Sequence, residues 1–482
     1  MKSLTCTGRM VKICGVIALW AAGSTSLSAQ TFTTLHSFDG TDGYFPYAAL
    51  IQGTDGAFYG TTALGGGQNQ GTVFTITTTG KLTTLHSFVG TDGEQPYGSL
   101  VQSTDGQLYG TTKFGGTGSL GTVFKLAPNH SLTTLYSFSR PGGIEPAGGL
   151  VQASSGSFYG TTSAGGPNGQ GTVYAINQAG KFTTLHNFIT GEGADSVAGL
   201  MQGGDGDLYG TTSEGGPVCQ GVGCGTVFRV SQNGALKTLA NFDGADGLFP
   251  MAGLTHTANE YTYGVTQEGG VGGMCNLEEG CGTVFEITPA GALKTLYNFC
   301  MQGGYRCSDG AFPFGNLIQG TDGNLYGTTQ EGGNTEYNYG TVFRVTPGGI
   351  LTILYNFCSL SGCADGFFPE GGLVQGTDGK LYGSTVKGGT NDYGTLFSLS
   401  IGLSPFVKTQ PTSRVAGASV QILGMNLLGA TSVTFNGTAA TFTVVSRSLI
   451  TTTVPIGATT GTVQVVTPGG TLSSNVPFTV KP

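Results

Sequence analysis

Four pairs of closely spaced cysteines and a set of loop carboxylates are the side chains of this sequence best suited to chemistry. The pairs are Cys219 with Cys224, Cys275 with Cys281, Cys300 with Cys307, and Cys358 with Cys363. Two chemistries use such pairs: disulfide closure in an oxidising compartment and zinc ligation by thiolates. Zinc ligands normally come as CxxC clusters or with histidine, and neither occurs here, so disulfides are the favoured reading and no metal or cofactor is expected. Each bridge would close a short loop, worth about 2–3 kcal/mol by the chain-entropy argument. The acidic candidates are Glu268, Glu278, Glu279, Asp309, Glu331, Glu336 and Asp365. Two carboxyls at a suitable separation hydrolyse glycosides. However, Glu214, Glu268 and Glu331 share one register before Gly-Gly, which argues for a structural repeat, and loop acids are commonly just solvated. Of the histidines, His36, His86 and His186 occupy a position that carries Tyr136, Tyr297 and Tyr355 elsewhere, an aromatic slot rather than a general base. His130 falls in a tight turn and His256 near an apolar run. A Ser/His/Asp triad has little to be built from, and no catalytic residue is assigned.

These residues lie in the connections of a repeat. "QGTDGAFYGTT" at Gln52 returns as "QSTDGQLYGTT" at Gln102, "QGGDGDLYGTT" at Gln202 and "QGTDGNLYGTT" at Gln319. Each unit carries four apolar runs, "AALIQ", "AFYGTT", "GTVFTI" and "KLTTLHSF" in the first copy. Rich in β-branched and aromatic residues and parted by Gly, Asp and Asn turns, they read as four short strands. The third run begins at Gly71, Gly121, Gly171, Gly225, Gly282, Gly340 and Gly394, giving seven copies. A period near 50 with four strands predicts the blades of a seven-bladed β-propeller. "FTTLHSF" precedes any first strand and the seventh copy lacks a fourth, so the N-terminal strand is expected to complete the last blade and leave no open edge. The turn residues Asp55, Asp105, Asp205, Asp322 and Asp378 are read as structural, because one carboxylate per turn is too few for calcium.

Spacing locates a working face. The first-to-second and third-to-fourth turns keep constant length, from Pro46 to Tyr59 as from Pro369 to Tyr382, and from Gly71 to Leu85 as from Gly340 to Leu354. All extra residues therefore enter the second-to-third and fourth-to-first connections, which share one face of an up-and-down ring. The cysteine pairs and the acids fall there. So do Tyr44, Tyr337, Tyr339 and Phe367, aromatic residues that vary between copies and suit the face of a sugar ring. Phe45, Phe249, Phe312 and Phe368 recur before proline or its equivalent and are expected to pack inward.

Composition sets the class. Only 10% of residues are charged, 88 are glycine, and the net charge is −8, which leaves no electrostatic footprint for nucleic acid or an anionic membrane. Lys2, Arg9 and Lys12, the apolar run 13–22 and the small residues before Gln30 have the order of a secretory signal peptide over 1–29, and no stretch of membrane-spanning length follows. The propeller is expected over 30–401. Over 404–482, short alternating runs ("VQILGMNL", "SVTFNG", "GTVQVVTPGG", "FTV") predict a small β-sandwich.

Two resemblances accompany these readings. "LHSFDGTDGYFPYAALIQGTDGAFYGTTALGGG" followed by "GTVF" resembles the GloVer-type tandem repeat of exported bacterial proteins, through all seven copies. The C-terminal runs resemble the IPT/TIG domain, an immunoglobulin-like module whose extracellular members imply a spacer or adhesive role. The expectation is thus an exported, non-enzymatic protein that binds an extracellular glycan or protein through the loop-rich face. The alternatives are a polysaccharide lyase or hydrolase using carboxylates of that face, and a structural envelope component.

Overall fold

The computed structural model describes residues 30–482 apart from 154, 190, 217–222, 258–260, 273–274, 276–279, 302–306 and 335–336. The expected signal peptide, Cys219, Glu278, Glu279 and Glu336 lie outside the described residues. The chain is all-β and propeller-like: antiparallel sheets of one repeated pattern follow one another in sequence, and the described helix is two single turns, Arg140–Gly142 and Ser361–Cys363. In the first sheet Ile51–Gln52, Phe58–Thr62, Thr72–Ile76 and Leu82–Ser87 pair in chain order. The N-terminal strand Thr31–Ser37 pairs with Thr395–Ser400 and so completes the sheet of the last repeat.

The inner strands are buried on both faces, because a neighbouring sheet covers each side. Phe58, Val73, Phe74 and Ile76 are buried, and each sheet shares a core with its successor. One such core joins Val73 and Phe88 to Leu100, Leu108, Phe124 and Leu126, and another joins Phe38, Leu50, Phe58 and Phe74 to Tyr382 and Leu396 of the last sheet. Hydrogen bonds repeat the same step. Thr111 Oγ1 donates to Gly148 O at 2.9 Å, Thr211 Oγ1 to Ala252 O at 3.0 Å and, from last sheet to first, Ser384 Oγ to Pro46 O at 2.9 Å.

The repeated "TDG…Y" has a local cause. Asp55 Oδ1 accepts from the Ala57 amide and Asp55 Oδ2 from the Tyr59 hydroxyl at 2.8 Å, so one carboxylate ties both arms of the hairpin. Asp205 with Tyr209, Asp322 with Tyr326 and Asp378 with Tyr382 repeat the 2.8 Å bond.

Two expectations about strands change. The first strand shrinks from "AALIQ" to Ile51–Gln52, because the residues before it run along the ring axis instead of pairing. In the sixth repeat, Ala311–Pro313 pairs with Leu325–Glu331 and gives five strands where four were expected.

The aromatic slot of the fourth strand serves in five places as a polar clamp, while Tyr136 stacks on Phe182 at 4.0 Å. His36 Nε2 lies 2.6 Å from Asp42 Oδ2, His86 Nε2 2.8 Å from Asp92 and His186 Nε2 2.8 Å from Glu192. Tyr297 and Tyr355 donate at 2.7 Å to Asp309 and Asp365. Each acid thereby pins the following connection to its sheet. In the fourth repeat the slot holds Ala240, and Asp246, without an aromatic partner there, has its carboxyl pushed upward by burial.

After Ser400, two four-stranded sheets and a short parallel pair, Ser413–Val415 with Thr479–Lys481, enclose a separate core of Val407, Ile422, Leu427, Val433, Phe435, Ile450 and Phe478. This C-terminal unit sits on one end of the ring. Ser448 Oγ donates to Thr54 O, Gln421 Nε2 to Thr104 O, the Phe406 amide to Thr377 O, and Lys408 Nζ to Gln375 O at 2.7 Å. Every acceptor lies in or beside a first-to-second turn, so the opposite end, with the long connections, stays uncovered by it.

Phe38 is fully buried at the closing seam, and Phe38→Ala is expected to cost about 3–5 kcal/mol in denaturant unfolding. Ala240→His should supply the missing clamp and stabilise by about 1 kcal/mol. The gain should be present at neutral pH and vanish in acid, where Asp246 is protonated in both folded and unfolded chains.

Candidate functional site

The ring axis is built by the residue before each lead-in proline, or before Ser196 in the fourth copy. Phe45, Gln95, Glu145, Asp195, Phe249, Phe312 and Phe368 all adopt φ between 53° and 60°, the left-handed region that side chains with a Cβ avoid. Such a conformation persists only when its surroundings fix it, and here two backbone bonds do. The Phe368 amide donates to Tyr339 O of the preceding sheet at 3.1 Å, while Phe368 O accepts from the Val386 amide of its own sheet at 3.0 Å. Gln95, Glu145 and Phe249 repeat both bonds. The chain then passes along the axis before the first strand begins. Glycine lets these segments approach: a Cβ on Gly148 would meet Ala198 O at 2.5 Å.

Where the seven lead-in segments converge they leave a cavity of about 430 Å³. The residue after the proline position is Tyr47, Tyr97, Ala147, Val197, Met251, Phe314 and Glu370 in the seven copies, and all seven line it. The Tyr47 and Tyr97 rings stack at 4.9 Å and 21°. Glu370 accepts from Gln330 Nε2 at 2.8 Å. Burial outweighs that bond and pushes its carboxyl up to about 7. Burial also raises both tyrosines, with the Glu370 charge adding to it. Opposite in sign, Lys113 lies 5.6 Å from the Tyr97 ring centroid and 3.6 Å from Glu145 Oε2. A carboxyl, an ammonium and a stacked aromatic pair in a glycine-lined pocket can hold a polyhydroxylated ring by hydrogen bonds and face contact.

The residues expected from sequence divide into three groups. Tyr337, Tyr339 and Phe367 do come together, stacked at 5.5 Å and 4.5 Å, with Tyr337 54% exposed. Tyr44 stands elsewhere on the same end, stacked on Tyr393 at 5.0 Å, its hydroxyl donating to Asn69 Oδ1. Glu268 and Glu331 keep the shared register for a backbone reason: Glu268 bridges Leu248 and Glu331 pairs with Ala311, locking each second-to-third connection to the neighbouring lead-in. Asp309 and Asp365 are corrected. Both are buried (7% and 0% exposed) and held in the clamps, Asp309 also accepting from the Cys300 amide and Asp365 from the Ser359 and Leu360 amides.

Of the disulfides, Cys275–Cys281, Cys300–Cys307 and Cys358–Cys363 are formed, and Cys224 is disulfide-bonded, its expected partner Cys219 being outside the described residues.

Sequence reasoning missed Glu370, Tyr47, Tyr97, Lys113 and Gln330. One signal was present: the position after the lead-in proline is uncharged in six copies and Glu in the seventh.

Because the carboxyl of Glu370 titrates higher folded than unfolded, the folded chain binds more protons between about pH 4.5 and 7, and stability falls as pH rises through that window. Glu370→Gln should reduce this slope, leaving the part due to Asp246, and make the variant about 1–3 kcal/mol more stable above pH 7. Denaturant titrations at pH 5 and pH 8 check it.

Comparison with known proteins comes to three findings. The model described as the Gloeobacter/Verrucomicrobia repeat matches residues 24–153, 102–277, 152–397 and 273–445. No curated protein matches the sequence. Among solved structures, the chain is similar to a fungal alcohol oxidase of the AA5 family in complex with copper, at TM-score 0.50 and 15% identity over 94% of this chain and 99% of that one. It is also similar to the extracellular domain of a putative hybrid two-component system from B. thetaiotaomicron, at TM-score 0.51 and 11% identity over 93% of this chain and 58% of that one. At such identities the likeness concerns the fold alone.

Proposed function

The chain belongs to the Gloeobacter/Verrucomicrobia repeat family, and from that premise we propose that it is an exported carbohydrate-binding protein. In this reading the seven sheets are the blades of a closed propeller over 30–401. The unit over 404–482 is an immunoglobulin-like module of the IPT/TIG kind that serves as a spacer. The segment 1–29 directs export, which the disulfides favour. A glycan lies across the uncovered end, one sugar in the axial cavity and the chain beyond it on the Tyr337, Tyr339 and Phe367 stack.

The observation that carries this reading is the cavity itself: stacked tyrosines, a half-buried acid and a lysine at the end of the ring that the C-terminal unit leaves free. Binding rather than hydrolysis is favoured because one carboxyl lines the cavity where glycoside cleavage uses two.

The test is retention of the full chain on a panel of insoluble polysaccharides while the supernatant is assayed for released sugar. Retention without release is expected. Glu370→Gln and Tyr97→Ala should each weaken it about tenfold, near the 1.4 kcal/mol of one good polar or stacking contact. Tyr337→Ala should weaken it less. Sugar release would replace the binding reading with an enzymatic one. Retention unchanged in both cavity variants would remove the axis from the site.

A further inference from the structure

Loop stapling accounts for single bridges and leaves one arrangement unexplained. Cys358–Cys363 closes its connection alone, whereas Cys275–Cys281, in a second-to-third connection, meets Cys300–Cys307, in the fourth-to-first connection that follows. Cys275 Sγ lies 3.6 Å from Cys307 Sγ, and all four sulfur atoms fall within 4.8 Å of one another. Cys281 and Cys300 are essentially sealed from solvent and Cys275 is 8% exposed, against a wall of Phe299, Ala311 and Phe312. Two staples in two loops have no need to touch.

Four sulfurs so placed are the donor set of a tetrahedral thiophilic cation. With Zn–S near 2.3 Å, the sulfur–sulfur edges of the tetrahedron are about 3.8 Å. The non-bonded edge from Cys275 to Cys307 already has nearly that length, the other three non-bonded edges are no longer than 4.8 Å, and the two bonded edges must open. The scaffold has anchors besides the bridges. The Phe312 amide donates to Cys281 O at 2.9 Å, the Gly310 and Gly333 amides to Cys307 O at 2.8 and 2.9 Å, and the Cys300 amide to Asp309 Oδ2 at 3.0 Å. None of these bonds uses sulfur. Spacing argued against zinc because it compared ligands within each pair; the fold assembles the set from two loops.

We propose that Cys275, Cys281, Cys300 and Cys307, when reduced, form a tetrathiolate site for one zinc-like divalent cation, alternating with the two disulfides. Reduction of both bridges takes four electrons and four protons from a dithiol reductant. Cation binding releases the four thiol protons. Reoxidation by a disulfide-donating oxidant removes four electrons, re-forms both S–S bonds and expels the cation.

The experiment uses the full chain with every other cysteine replaced by serine, reduced by a dithiol, freed of reductant without oxygen and titrated with Co²⁺. One cobalt per chain is expected, with the sulfur-to-cobalt charge-transfer and ligand-field bands of a tetrahedral tetrathiolate, and Zn²⁺ should displace it. Adding Cys275→Ser and Cys307→Ser should weaken uptake at least a hundredfold while the far-ultraviolet circular dichroism stays that of the parent. No uptake, bands of a site with fewer than four thiolates, or equal uptake by the double variant would overturn the proposal. Loss of the β-sheet signal on reduction would do so as well, since the site needs a scaffold that stands without its bridges.

Discussion

The left-handed residue at the head of each lead-in segment is the constraint on which the rest of the ring depends. At φ near 55° it turns the chain from the outer connection onto the axis, a conformation costing of order 1–3 kcal/mol per non-glycine residue. Two backbone hydrogen bonds, one to the preceding sheet and one to its own, offset that cost with about 1 kcal/mol each. The same bonds stitch neighbouring sheets together. Local strain and ring assembly are thus one interaction, repeated around the axis, and the cavity is its by-product: seven chains turned inward leave a space between them.

The two ends of the ring have different work. At one end the short turns are constant in length, five of them closed by an Asp–Tyr bond, and they present backbone carbonyls. The C-terminal unit docks there, with Lys408 half-buried and its ammonium pushed down to about 8 by desolvation. At the other end the connections vary. There the fourth-strand clamps, the backbone bridges of Glu268 and Glu331 and the disulfides tie the ends of the long connections to their sheets. Variation is tolerated where chain ends are tied independently of the loop between them, as His36–Asp42 and Tyr355–Asp365 tie theirs.

A repeat protein reveals its architecture more readily than its site, and particular residues show why. Four strands per unit, the strand exchange by Thr31–Ser37 and the structural role of Asp55 and its counterparts were legible, because each rests on a local pattern of apolar alternation or turn chemistry. The stack of Tyr337, Tyr339 and Phe367 was legible in part, since departure from the repeat marked those residues. Asp309 and Asp365 misled, because an acid in a loop reads as exposed until its tyrosine partner, ten or twelve residues earlier, is seen to point at it.

By itself the sequence determined the strand pattern, the way the ends could meet and the loops free to grow, since strand period and turn stereochemistry act over a few residues. Tertiary structure alone decided what lies at the axis. Glu370, Tyr47, Tyr97 and Lys113 are separated by tens to hundreds of residues, and ring closure is what brings the last repeat back beside the first two. It also decided which end the C-terminal unit covers and that two cysteine pairs form one cluster. Those outcomes depend on surfaces meeting, and no local stereochemical rule encodes where two distant surfaces will touch.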